Sequence, residues 1–229
     1  TRVALRQMGG APALLAELEG LGIVVDGKLT TDDEPLNLFA RLVSGAMVQP
    51  GMEDETAKLG VAGERFMIAC NPPEEDEHWA SAEDEWVGKA SVSQRHRLML
   101  VRDLSWTLFN VLALGLQSEV ELHEAVEMLE AMEAAAKGYA SKVGGWSNNV
   151  GLFFNVYGHA SANALHLHIV DLDVTGPSYD ALSHKNLPLP CVLGVLRSEL
   201  DLAEAAEEIT LTMLEMTADS DAAVEAALS

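Results

Sequence analysis

The stretch QSEVELHEAVEMLEAMEAAAKGYASKVGG, residues 117–145, constrains the fold more than any other. Leu122, Val126, Leu129, Met132, Ala136 and Tyr139 recur at the 3.6-residue period of an α-helix, so they line one side of it. The glutamates between them form a solvated side, and His123 is read as structural. Ser118 with Glu121 three residues on is the capping-box pattern, which satisfies free N–H groups at a helix start. A single long helix with one apolar stripe needs a partner layer, and the flanking segments read as strands. RFMIAC (65–70), EWVGKASVS (85–93) and RHRLMLV (95–101) precede it. NNVGLFFNVYG (148–158) and ALHLHIVDL (164–172) follow, joined by a compact turn near Gly158. NPPEEDE (71–77) reads as a proline-acidic loop, and the tail from Pro190 as a helix aligning Leu193, Leu196 and Leu200. The expected class is α+β, an antiparallel sheet of about five strands carrying one long helix and a C-terminal helix.

Residues 1–62 read as an added packing or dimerisation module, and 63–229 as the main domain. APALLAELEG (11–20) predicts a short helix stopped at Gly20, and GIVVDGKL (22–29) a strand with an Asp-Gly turn. DEPLNLFARLVSG (33–45) predicts a helix with Pro35 in its first turn.

Charge narrows the function. The chain has 36 acidic against 14 basic residues, a formal net charge of -22. It lacks the basic footprint that phosphate neutralisation demands, which excludes a nucleic-acid polymer or an anionic membrane as partner. Its longest apolar run, Trp106–Leu116, falls short of the ~20 residues of a membrane helix. Cys70 and Cys191 have no CxxC spacing, so a disulfide framework is not expected. A soluble intracellular protein follows, of the cytoplasm or an organelle lumen.

The chemistry concentrates in ALHLHIVD. Alternation along a strand puts Ala164, His166 and His168 on one side, expected to be an open sheet face, and Leu165, Leu167 and Ile169 on the core side. An imidazole near its reference pKa of about 6.5 is partly neutral at pH 7 and can attack phosphorus or pass a proton. Three readings stand: nucleophile plus helper, metal ligands, or histidines satisfied by hydrogen bonds. No HExxH or Cys/His spacing accompanies the pair, and no metal is expected.

FFNVYGHASANALHLHIVD (153–171) resembles the signature region of the histidine triad (HIT) superfamily, which alternates three histidines with hydrophobics. The similarity spans roughly residues 65–200. RHRLMLVRDL (95–104) resembles the family's histidine-bearing strand, residues 118–140 its long helix, and DALSHKNLPLPCVLGVLRSEL (180–200) its C-terminal continuation. The resemblance implies a nucleotide hydrolase or nucleotidyl transferase. It would act on the α-phosphate of nucleoside phosphoramidates or dinucleoside polyphosphates through a nucleotidyl-histidine, without a cofactor. His166 would be the nucleophile, His168 would hydrogen-bond the phosphate, and Ser161 would donate to the bridging or leaving-group oxygen. Asn155 and His96 would lie at the nucleotide. Ala164 stands where the family usually has the first histidine, thought to orient the nucleophile. A homodimer is implied. The alternative is a catalytically weak HIT-fold binding or scaffold subunit of a larger assembly.

Overall fold

The structure, a computed structural model, describes residues 2–155 and 162–227, with side chains to residue 210 except at 207. In chain order the helices are α1 (Arg2–Gln7), α2 (Gly10–Gly20), α3 (Leu38–Ser44), α4 (Met52–Ala57), α5 (Pro73–Glu77), α6 (Glu119–Lys142), α7 (Pro177–Leu182) and α8 (Leu189–Ala227). The strands are β1 (Val24–Val25), β2 (Lys28–Leu29), β3 (Phe66–Ala69), β4 (His96–Val101), β5 (Val150–Asn155), β6 (His166–Asp171) and β7 (Asn186–Pro188). β1 and β2 form a hairpin. The other five make one antiparallel sheet in the order β3-β4-β6-β5-β7, an α+β architecture. Among the described residues no helix is long and apolar enough to cross a membrane.

The long helix forms as its sequence demands. Ser118 accepts from the Glu121 N–H at 3.1 Å, while the Glu121 carboxylate turns to the Gln117 N–H rather than closing the box on Ser118. All six stripe residues are buried. They pack with Phe66, Ile68, Met99, Leu152, Phe154, Leu167 and Ile169 from one face of the sheet, and with Leu189, Leu193 and Leu196 of α8. Each such side chain contributes roughly 1.5–3 kcal/mol on leaving water. Tyr139 donates to Glu55 Oε2 at 2.5 Å, tying α6 to α4.

The opposite face presents Met67, Ala69, Leu98, Leu100, His166 and His168, because β4 pairs Leu98 with His168 and Leu100 with His166. The expectation that this face is open is overturned. Its leucines are apolar and need cover, which Ala11, Leu18, Val24, Leu29 and Phe39 of the N-terminal elements supply in one cluster with Leu98, Leu100 and Ala164. The Leu29 N–H donates to the Leu104 carbonyl and the Trp106 N–H to the Gly27 carbonyl. The elements α2, β1, β2 and α3 are thus packed onto this face as one layer, while Met52 of α4 and Leu59 join the cluster of α6 on the other face.

Local readings fare unevenly. The Asp-Gly turn forms with positive φ at Asp26 and Gly27, the geometry that two-residue hairpins favour. α3 starts at Leu38, not around Pro35, because the Asn37 side chain caps it through the Ala40 N–H. Residues 85–93 form no strand. Turn bonds from Val87, Lys89 and Ala90 consume the groups a ladder would use, and only Ser93 makes an isolated bridge, to Thr175. Within NPPEEDE a short helix forms, since Pro73 suits a first helical position and Glu74, Glu75 and Asp76 favour a helix start. β7 arises from Asn186–Pro188, which carried no strand signal. The turn near Gly158 lies outside the described residues.

Candidate functional site

Three histidines meet on the covered face. His166 and His168 stand two apart on β6, with ring centroids 5.1 Å apart. His96 opens β4, opposite Val170, which sets it diagonally beside His168. Its Nε2 lies 2.9 Å from His168 Nδ1. The third histidine therefore comes from the neighbouring strand and not from position 164.

His166 Nδ1 lies 2.8 Å from the Ala164 carbonyl oxygen. A carbonyl only accepts, so Nδ1 carries the proton and Nε2 keeps its lone pair. Burial pushes the His166 pKa down against the raising pull of that carbonyl, which keeps the ring neutral at pH 7. The Phe39 ring sits 4.5 Å away at 48°.

His168 is buried and stacked on Phe153 at 5.0 Å. Its Nε2 has no hydrogen-bond partner among the described residues. Burial, then the neighbouring His96 and His166, hold its pKa well below the usual histidine value. His96 is also buried, and desolvation, aided by Arg97 and His166, pushes it down to about 3. Its Nδ1 faces Asn71 Nδ2 at 2.8 Å.

A cavity of about 390 Å³ opens at His166, walled by Asn110, Asn155, Asn163 and apolar residues including Leu5, Leu14 and Phe109. No lysine or arginine lines it among the described residues. Asn155 ends β5 with its Oδ1 buried and without a hydrogen-bond partner among the described residues, so an acceptor and the His166 ring share this space. A larger cavity, about 570 Å³, lies at the start of α6 among Glu64, Arg65, Arg102, Glu121 and Glu124. It holds no histidine and its charges oppose one another, so we place the site at the smaller one.

Of the residues expected at the site, His166 and Asn155 line the cavity, while His168 stands next to His166 without lining it. His96 does not line it; it lies behind His168. Ser161 lies outside the described residues. His78 stacks on Trp86, His123 faces Glu127 on α6, and His184 bonds the Ala181 carbonyl, all away from the site. Sequence reasoning passed over Asn71, whose only signal was a polar residue closing an apolar strand. It also left Asp171 unassigned; this fully buried carboxylate accepts from Arg95 and from the Ser147 backbone and hydroxyl, anchoring the end of β6. Comparison of the chain with protein-family models, with curated proteins and with solved structures finds no match in any of the three.

Proposed function

We propose that the chain is a nucleotide hydrolase or nucleotidyl transferase of the histidine triad kind. One observation carries the reading: the Ala164 carbonyl accepts a hydrogen bond from His166 Nδ1–H, which leaves Nε2 as an unprotonated nucleophile beside the cavity. Nε2 attacks the α-phosphorus of a nucleoside phosphoramidate, the P–N bond breaks, and the leaving nitrogen takes the bonding pair and a proton from solvent to depart as the amine. Water then attacks the nucleotidyl-histidine and gives a proton back to solvent, the Nε2–P bond breaks, and the mononucleotide leaves while the lone pair returns to Nε2. Splitting one displacement into two is the advantage of a covalent nucleophile. An N–H on His168 Nε2 would stabilise charge on the phosphoryl oxygens. No cofactor enters this scheme. The five-stranded antiparallel sheet backed by α6 supports the family resemblance, which also implies a homodimer. Walls without lysine or arginine among the described residues favour a singly charged phosphoramidate over a dinucleoside polyphosphate, whose extra charges would lack partners there.

A binding or scaffold subunit is the second reading, and the Phe39 ring against His166 favours it by occupying space at the nucleophile. Incubation with adenosine 5′-phosphoramidate and with diadenosine polyphosphates, followed by assay of AMP, separates the two. AMP release with a transient nucleotidyl adduct on His166 supports the enzyme. Ligand binding without AMP or adduct overturns it in favour of the binding subunit.

A further inference from the structure

A chain of polar groups runs inward from Arg97 to the site. Asp76 faces Arg97 at 3.5 Å and accepts a short hydrogen bond from the Ser91 hydroxyl. Asn71 Nδ2 lies 2.7 Å from Ser91 Oγ and 2.8 Å from His96 Nδ1. His96 Nε2 meets His168 Nδ1 at 2.9 Å. Ser91, His96 and His168 are all buried, so water is not a ready substitute for any partner.

The direction of every bond follows from one end. An ionised carboxylate only accepts, so Ser91 gives its single proton to Asp76. The Ser91 oxygen must then accept, and Asn71 donates to it through one hydrogen of its amide nitrogen. The second amide hydrogen goes to His96 Nδ1, which therefore holds a lone pair. A neutral His96 carries its proton on Nε2 and donates it to His168 Nδ1. Only Nε2 of His168 remains to carry a proton, and it is the buried atom without a partner among the described residues.

We propose that Asn71 is a positioning residue for this site: backed by Ser91 and Asp76, it fixes the proton order of His96 and His168 so that His168 carries an N–H on Nε2. The use of that N–H on a phosphoryl oxygen rests on the function proposed above; the proton order itself does not. Without the Asn71 amide, His96 is free to hold its proton on Nδ1. Its Nε2 then becomes an acceptor, His168 must donate from Nδ1, and His168 Nε2 becomes a lone pair. A lone pair there repels an anionic oxygen where a donor attracts it. The same amide opposes a cationic His96, because it would set N–H against N–H.

Two-bond 1H–15N correlation spectra of the histidine rings test the proposal, since they distinguish a protonated ring nitrogen from one with a lone pair. The parent protein is expected to show protons on Nε2 of His96 and His168 and on Nδ1 of His166. Asn71→Leu, close in volume but without the donor, should give His168 as a mixture of both forms. Ser91→Ala, which frees the amide to rotate, should shift it in the same direction and serves if the leucine variant fails to fold. His168 protonated on Nδ1 in the parent, or an unchanged pattern in a folded variant, overturns the proposal. With phosphoramidate as probe, kcat in either variant should fall about 10- to 100-fold with KM nearly constant. A fixed proton order in a parent without turnover would sink the proposed function and leave the relay standing.

Discussion

The Ala164 carbonyl oxygen accepts the Nδ1 proton of His166 at 2.8 Å, so the backbone two residues upstream orients this imidazole. The family resemblance led us to expect that task of a side chain at position 164. Ala164 is instead buried in the cluster with Phe39, Leu98 and Leu100. Ala164→His should therefore fail to raise turnover. It should also destabilise the fold by about 1–3 kcal/mol, as an imidazole replaces a methyl group buried at the edge of the cluster and the cavity. Steady-state rates and denaturant midpoints check both; a rate gain of tenfold or more would show that the carbonyl alone does not suffice.

Under the proposed mechanism the two histidines of β6 should separate in kinetics. His166→Ala should remove nucleotide release and the covalent adduct together, because it deletes the attacking nitrogen. His168→Ala should retain a residue of activity, lowered about 10²- to 10³-fold, since it removes a donor and spares the nucleophile. Mass analysis of protein quenched early in the reaction reads the adduct directly. An adduct that persists in His166→Ala places the nucleophile elsewhere.

The layers that position this site were legible in unequal measure. The α6 stripe follows one period over many residues and formed as read, whereas the alternation of β6 divided its side chains between two faces as read but both faces are covered. The turns at 85–93 and the short helix at Pro73 depend on where individual N–H groups find partners, which periodicity does not encode. His166 stood out because an apolar run has no need of it. Asn71 did not, because its importance comes from Ser91 and His96, which lie 20 and 25 residues away along the chain. The cover over the histidine face was hidden for a similar reason. Phe39 reads as an ordinary helix-stripe residue until the fold seats it on His166.

Acid should loosen the fold earlier than its carboxylates require. The folded pKa of His96 is about 3 against an ordinary 6.5, so the unfolded chain binds a proton that the fold refuses. Its contribution is intact above about pH 6.5 and is lost as pH falls from there toward 3. Going from pH 7 to 5 should cost about 2 kcal/mol from His96 alone, with His166 and His168 adding in the same direction. Glu199, held at about 2 against 4.5, loses its contribution only at lower pH. Relief of the acidic self-repulsion works the opposite way. Urea midpoints between pH 7.5 and 5 should fall, and ring NMR should show His96 still neutral at pH 5. A His96 that titrates near 6.5 in the folded protein would contradict its burial.

The N-terminal helix is held to α8 by a pair whose loss should be costly. Arg2 meets Glu199 through Nε at 3.0 Å and Nη2 at 2.8 Å, and its Nη1 donates to the Leu112 and Leu114 carbonyls. Arg6 reaches the same carboxylate at 2.7 Å. Only 8% of the Arg2 side chain and 17% of Glu199 remain exposed, so neither charge is well hydrated once its partner is gone. Leu112 itself walls the cavity, and Leu5 of α1 lines it directly. Glu199→Ala should therefore cost about 3–5 kcal/mol by leaving Arg2 buried and unpaired. Arg2→Ala should cost less than Glu199→Ala, because Glu199 keeps Arg6. A double-mutant cycle over positions 2 and 199 should return a coupling of at least 1 kcal/mol, on the scale of about 0.5–3 for residues in one network. The same variants should also weaken ligand binding at the cavity through displacement of Leu5, while Lys137→Ala on the exposed side of α6 should change neither. Coupling near zero would mean that the cavity wall is set by Phe109 and the turn at Asn110 without help from α1.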